Sequence, residues 1–267
     1  MKVFVFLTVL LLVSFENFAQ SLGSPAAGMA EAGVAQRSAW AAFYNVGGLA
    51  WCKQTTVIAG YDNRFGFSEG LHAAGVGLVK PLGFGVGSLS VYRFGDALYS
   101  EDQISLGLSH QVSQFSFGLR LSGYQYHVET VGTNFTSTID VGGVAQLSSD
   151  LAFGMQITNL TQAKKSRVTQ EKIPTRIQTG VAYRPGESVS LAVEVEHEAG
   201  ESTNAKIGAE YTVLKKISFR CGIQTVEFQH FFGLGLAHQL LQIDYALRTH
   251  SELGLSHQLS LAYKLRN

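Results

Sequence analysis

After its first twenty residues, this chain has no stretch that approaches the roughly 18 consecutive apolar residues of a membrane-spanning helix. Hydrophobic residues make up 46% of it, yet they are spread through it in short groups. Charge is scarce: Asp, Glu, Lys and Arg together are 15%, against about a quarter in an ordinary soluble domain. Those charges sum to zero, which gives no basis for a nucleic-acid partner. Proline is nearly absent, at 4 of 267, while glycine reaches 29, a balance that suits long uninterrupted strands. Of the two cysteines, Cys52 and Cys221 could bridge in an oxidising compartment. Two unpaired thiols packed in the protein is the simpler reading, and neither has metal-ligand company in sequence. Catalytic signatures are also missing: there is no G-x-S-x-G elbow, no H-E-x-x-H pair and no Walker loop. The expectation is a protein with no enzymatic activity, cofactor or metal; an outer-membrane lipase built from a barrel is the specific enzymatic alternative.

What is present begins with an export signal. Lys2 supplies a positive start, Val3 to Phe15 an apolar run too short to span a bilayer, and Ala19 a small residue for cleavage near Ala19–Gln20. A single N-terminal membrane anchor is the alternative, disfavoured by the short run and the missing basic stop.

From about Gln54 onward the chain has a rhythm. Segments that alternate apolar and polar residues recur every fifteen residues or so, at 54–62, 71–80, 84–94, 102–111, 114–124, 137–147, 151–160, 174–184, 188–197, 204–213, 216–226, 231–239, 241–249 and 253–265. In 188–197, Val189, Leu191, Val193 and Val195 fall on one face, and Ser190, Ala192, Glu194 and Glu196 on the other. The connections alternate as well. Longer ones (Asn63–Gly70, Gly95–Glu101, His127–Thr136, Thr161–Ile173, Glu198–Thr203, Thr249–Glu252) are interleaved with tight ones such as Pro81–Gly83, Val112–Ser113 and Leu214–Lys215. That double alternation predicts an all-β, transmembrane, antiparallel up-and-down barrel of about fourteen strands, with short turns at the periplasmic end. A soluble sandwich also alternates. Against it stand the glycines on the polar parity (Gly107, Gly118, Gly142, Gly154, Gly180, Gly208, Gly222) and the aromatics near segment ends, such as Phe84, Phe94 and Tyr183. The expected organisation is an export signal over 1–20, an N-terminal segment over 21–53 and a barrel over 54–267, in the bacterial outer membrane with its lipid as surroundings.

The inner parity carries both signs: Arg120, Lys206, Arg220, Arg248 and Lys264 against Asp140, Glu194, Glu196, Glu210 and Asp244. A strongly selective pore would favour one sign; balanced charge more simply means cross-strand ion pairs filling the interior. This parity reads as polar, with no greasy lumen. Leu106-Gly-Leu-Ser-His-Gln-Val-Ser113 recurs as Leu253-Gly-Leu-Ser-His-Gln-Leu-Ser260, and Leu234-Gly-Leu-Ala-His-Gln-Leu240 is close. Hairpin duplication explains the repeat; a metal site would require His110, His238 and His257 to converge from strands far apart around a barrel.

Ahead of the first strand lie Gly23-Ser-Pro-Ala-Ala-Gly-Met-Ala-Glu-Ala-Gly-Val-Ala35 and Ala39-Trp-Ala-Ala-Phe-Tyr-Asn-Val-Gly-Gly-Leu-Ala50, dominated by small residues that allow close packing inside a barrel. This stretch resembles the opening of the FadL-like outer-membrane superfamily, especially its PorV/PorQ-type branch, where "G-x-A-G-V" precedes "W-x-x-F-x-N-P-A-G-L". Val46 stands where proline is usual. Phe153–Leu160, Ile173–Tyr183 and the closing hairpin around Asp244–His257 are similar to later family segments. The resemblance implies a fourteen-stranded barrel with a hatch whose motif is Asn45, Gly47, Gly48 and Leu49. It further implies either an accessory barrel that binds a larger secretion-system membrane protein or secreted cargo, as in type IX secretion, or a transporter of small hydrophobic compounds. A permanent plug would favour the first, a greasy lumen the second; the polar inner parity leans to the first.

Overall fold

The computed structural model describes residues 22–65, 72–165, 172–250 and 254–266. The expected export signal and the tips of three long connections lie outside them. Fourteen antiparallel strands close into one barrel: β1 (Thr56–Asn63), β2 (His72–Leu82), β3 (Gly85–Gly95), β4 (Tyr99–Val112), β5 (Phe115–Val128), β6 (Gly132–Gln146), β7 (Leu151–Thr158), β8 (Arg176–Tyr183), β9 (Val189–Glu198), β10 (Asn204–Val213), β11 (Ile217–Gln224), β12 (His230–His238), β13 (Leu241–His250) and β14 (Gly254–Lys264). Each strand pairs with its neighbours in sequence, and β1 closes on β14 with Thr56 opposite Lys264 and Asn63 opposite His257. Closure leaves no free strand edge where the apolar belt faces outward, as a hydrocarbon surrounding demands.

The period-2 pattern sets the two faces. Leu106, Leu108, Phe117, Leu119, Leu191, Val193, Leu234, Leu259 and Leu261 point outward and are exposed, forming the apolar belt of a membrane-spanning barrel. Their strand neighbours Gly107, Ser109, Arg120, Ala192, Glu194, Gly233 and Ser260 point inward and are buried. Tight turns at the end opposite the long loops are helped by residues with positive φ, including Ser113, Leu214, Lys215 and Gln239. No described helix is long and apolar enough to cross a membrane; the crossing is done by strands.

One connection differs from the expectation. His127–Thr136 is a tall hairpin rather than a loop, since β5 runs to Val128 and β6 starts at Gly132. The alternation fades there because both faces turn polar (Gln125, His127, Asn134, Thr136), so the apolar signal ends before the strands do. Cys52 lies inside the barrel and Cys221 faces outward on β11; both are free and sit on opposite sides of the wall.

Candidate functional site

Residues 22–55 run through the barrel interior, and almost all of them up to Leu49 are buried. The segment starts where Leu22 lies over Gly60 and Gly75 of β1 and β2. A single helical turn, α1 (Ser24–Ala27), follows against β12, β13 and β14. The chain then circles the inner wall. Gly28 meets Gly233, Met29 covers Gly208, Ala30 covers Gly222, Val34 and Ala35 cover Gly154, and Gly47 abuts Gly118 and Gly143. Two 3₁₀ turns, Ala39–Ala42 and Val46–Trp51, bring it back across the lumen to β1. Glycines on the inner parity thus have a physical cause: main chain runs against main chain. A Cβ on Gly154 would collide with the Val34 carbonyl, and one on Gly47 would lie 2.5 Å from the Gly143 Cα.

Around β4–β14 the seat is polar. Asn45 accepts from the Gly47 N–H at 3.0 Å, and its Nδ2 donates to the Gly143 carbonyl at 2.9 Å, with the Val34 and Met155 carbonyls at 2.6 and 3.2 Å. It therefore caps its own turn while tying it to β6 and β7. Arg120 pairs with Asp140, Nε to Oδ2 at 2.8 Å, and turns Nη1 to the Ala42 and Tyr44 carbonyls at 2.8 and 3.1 Å. Asp140 also accepts from the Asn159 N–H at 2.8 Å. Glu194, fully buried, accepts from the Val34 N–H at 2.8 Å. Lys206 donates to Glu194 and Glu196 at 3.4 and 2.9 Å, and Gln178 donates to both. Arg220 bridges Glu210 at 2.5 Å and Asp244 at 2.8 Å beside Gly28. Arg248 reaches Glu31 of the interior segment at 3.5 Å. Lys264 stands apart, exposed at the turn-end rim. Of the motif residues, Gly48 packs against the Gln36 carbonyl and Leu49 is fully buried.

The other side is apolar. Leu22, Trp40, Phe43, Tyr44, Val46 and Leu49 form one contiguous cluster with Ile58 of β1, Ala73 and Val79 of β2, and Val86 and Tyr92 of β3. This corrects the expectation of a uniformly polar inner parity. On β1–β3 the inward positions hold Ile58, Ala73, Val79, Val86 and Tyr92, interleaved with Thr56, Asp62, Ser88 and Ser90, an apolar minority that averaging over fourteen strands conceals. The cluster runs from Tyr92 and Phe94 near the loop end to Val79 and Val86 near the turn end. Within it the Trp40 Nε1 is buried without a hydrogen-bond partner. At the loop end, Arg64 is buried against Asp62 at 3.0 Å and over the Phe94 ring. Beside it a small cleft, with room for about one water molecule and open to solvent, lies between Glu31 and the Asp62, Arg248, Ser256 and Gln258 side chains.

Sequence reasoning missed several residues that seat the segment. Ser109 and Ser116 donate to the Gly47 carbonyl at 3.1 and 2.8 Å. Gln258 and Ser260 accept from the Gly23 and Ser24 N–H groups, each at 3.1 Å. The signal existed: Ser109, Gln258 and Ser260 are inner-face members of the repeated Leu-Gly-Leu-Ser-His-Gln motif, whose copies hold both ends of the interior segment. The repeat histidines do not meet. His110 and His238 lie at the turn end and His257 near the loop end, hydrogen-bonded to the Tyr245 hydroxyl at 2.7 Å. Among the described residues no group of three or more His, Cys, Asp or Glu could hold a metal ion.

No protein-family model matches this sequence, and no curated protein matches it. Solved structures do. The ΔS2 mutant of the monoaromatic hydrocarbon channel TodX superimposes with a TM-score of 0.72 at 11% identity, covering 93% of this chain and 100% of that one. CymD, another monoaromatic hydrocarbon channel, gives 0.67 at 13%, covering 94% and 99%. A Pseudomonas aeruginosa FadL homologue gives 0.65 at 12%, covering 92% and 98%. The chain therefore has the fold of the FadL-type outer-membrane channels over nearly its whole described length.

Proposed function

We propose that this protein is a non-enzymatic outer-membrane channel for small hydrophobic compounds, with residues 21–53 acting as its hatch and 54–267 as the barrel. The observation that carries this reading is the apolar cluster between the hatch and β1–β3, which reaches from one end of the barrel to the other beside an otherwise ionic interior. A small hydrocarbon gains by leaving water for such a surface. The fold shared with two hydrocarbon channels supports the same reading. Passage requires the hatch to shift, because its side chains fill the seam. The test is uptake of radiolabelled toluene by intact cells whose lipopolysaccharide-covered outer membrane holds or lacks the full chain. Faster uptake of toluene with the protein, and unchanged uptake of a sugar of similar size, is expected; toluene uptake equal to that of cells lacking the protein would sink the channel reading.

A second reading has a specific observation behind it. The hatch is pinned by ion pairs and hydrogen bonds on more than half of the wall, as suits a permanent plug in an accessory barrel of the PorV/PorQ type. A pull-down from outer membranes in mild detergent decides this: a stoichiometric large membrane protein or secreted cargo supports the accessory role, and a clean monomer removes it.

A further inference from the structure

One polar atom inside the apolar cluster is left over. Trp40 is 3% exposed, and its Nε1–H has no acceptor among the described residues. The described residues hold two other buried side-chain polar atoms without a partner, Asn63 Oδ1 and Thr138 Oγ1, and neither belongs to the cluster. The cluster's tyrosines are engaged: the Tyr44 hydroxyl donates to the Gly23 carbonyl at 3.4 Å, and the Tyr92 hydroxyl accepts from Arg64 at 3.4 Å. A buried donor without an acceptor is a standing cost to the fold. A phenylalanine would fill much of the same space without that cost.

The chain makes room for the indole. Gly23, at a φ of 135°, packs on the Cγ–Cδ2–Cε3 side of the ring, where a Cβ would lie 2.7 Å from Cε3. Only glycine supplies both that backbone and that space. Nε1 lies on the opposite long edge of the indole. The Phe43 ring is 6.3 Å from the indole and reaches Gly75 of β2, while Leu22 covers Gly60 of β1. Gly60 and Gly75 are paired part-way along these strands. The N–H therefore sits between the Tyr92 end of the cluster and the end formed by Val79 and Val86.

We propose that the Trp40 N–H is a recognition donor. The seam then favours small apolar molecules that carry one hydrogen-bond acceptor, such as a ketone or ester carbonyl oxygen, over hydrocarbons of the same shape. This rests on the channel reading and narrows its substrate class. A hydrocarbon in the seam gains from burial alone. A ketone of the same shape gains similar burial and gives the indole the acceptor that the fold withholds, which offsets the loss of its own contact with water. A solute that offers only a donor meets a like donor there.

The test compares acetophenone with α-methylstyrene, in which a methylene replaces the carbonyl oxygen, in cells whose outer membrane holds or lacks the full chain. Protein-dependent uptake of each is measured for the wild type and for Trp40→β-(3-benzothienyl)alanine, in which sulfur replaces the N–H and the ring shape is kept. Comparing the ratio of the two compounds between the chains cancels their different solubilities in lipid. Loss of the N–H should lower the acetophenone to α-methylstyrene ratio about tenfold, the equivalent of a hydrogen bond of ~1.4 kcal/mol. Uptake of α-methylstyrene should stay unchanged, and Trp40→Phe should lower the ratio likewise. An equal ratio in wild type and variants, with α-methylstyrene still entering faster than in cells lacking the protein, would overturn the recognition role and leave the channel reading standing. So would an equal change for both compounds, which would reduce Trp40 to packing. If neither compound entered faster with the protein, the channel reading would fall and this inference with it.

Discussion

The two sides of the hatch are held by different forces. Against β1–β3 it is held by side-chain packing: Leu22, Phe43, Val46 and Leu49 on Ile58, Val79, Val86 and Tyr92. Against β4–β14 it is held by directional bonds, among them Val34 to Glu194, Ala42 and Tyr44 to Arg120, and Gly47 to Ser109 and Ser116. Apolar contact is non-directional and tolerates sliding. A hydrogen bond to a buried charge tolerates very little, since displacement strands the charge. The hatch is therefore hinged on its ionic side and free to give on its apolar side. On the proposed channel reading, a solute that loosens only packing would pass without the ionic seat being dismantled.

The largest expected effect comes from breaking the ionic side. Asp140→Ala leaves the buried Arg120 guanidinium without its carboxylate and the Asn159 N–H without its acceptor. Removing one partner of a buried pair costs about 3–5 kcal/mol. The urea midpoint for unfolding in detergent should fall accordingly. A midpoint unchanged from wild type would mean that water reaches Arg120 and that the seat is softer than its geometry.

Next is Gly47→Val. The new Cβ meets the Gly143 main chain, which cannot retreat without breaking the β6 ladder, so the hatch must move. Ion leak in planar bilayers should rise. Cys52, three residues beyond Leu49, reports the same event chemically. Burial pushes its thiol up to about 11, only partly offset by the nearby Lys264 ammonium, so little thiolate exists at pH 8 while the hatch is seated. In a Cys221→Ser background, a water-soluble maleimide should label Cys52 slowly in the otherwise unaltered chain and much faster with Gly47→Val. Equal labelling rates would mean that the hatch stays in place.

How much of this was legible in the sequence follows from the same contrast. The fourteen strands and the closed barrel were, because lipid outside and small or polar residues inside impose a period of two on every strand. The tall β5–β6 hairpin was not, since above the membrane Gln125, His127, Asn134 and Thr136 have no reason to alternate in polarity. Glycines such as Gly154 and Gly208 stood out on the inner parity, but a strand pattern does not say what presses on them. Glu194 and Arg120 stood out as inward charges; that each also holds a carbonyl or N–H of the hatch depends on the path of a segment with no periodicity. The seam on β1–β3 was hidden because Ile58, Val79 and Val86 are ordinary strand residues and only closure puts them together.

A pair of milder variants sharpens the contrast. Phe43→Ala opens space in the seam without touching an ion pair, so toluene uptake should rise several-fold while ion leak stays at its basal level. Glu194→Gln keeps an acceptor for the Val34 N–H but replaces a charged bond with a neutral one, a loss on the order of 1 kcal/mol. Lys206 retains Glu196. Ion leak should rise slightly, with toluene uptake unaltered. If each variant moved both readouts equally, the two sides would work as one and the hinge picture would fail.

The smallest expected effect decides whether the seam is dry. The Trp40 indole N–H is buried among Phe43 and its neighbours without an acceptor, although a buried donor left unpaired costs about 1–3 kcal/mol. Trp40→Phe removes that donor and some volume together. In a dry seam the relief of the orphaned N–H offsets the lost packing, and the unfolding midpoint should shift by the equivalent of less than about 1 kcal/mol, in either direction. In a wet seam the N–H would already be satisfied by water, the packing loss would stand alone, and destabilisation of about 1–2 kcal/mol would follow. A small shift therefore supports an apolar path that excludes water and ions. A large one would mean that the side offered to hydrophobic solutes is hydrated, which removes the reason for a hydrocarbon to prefer it.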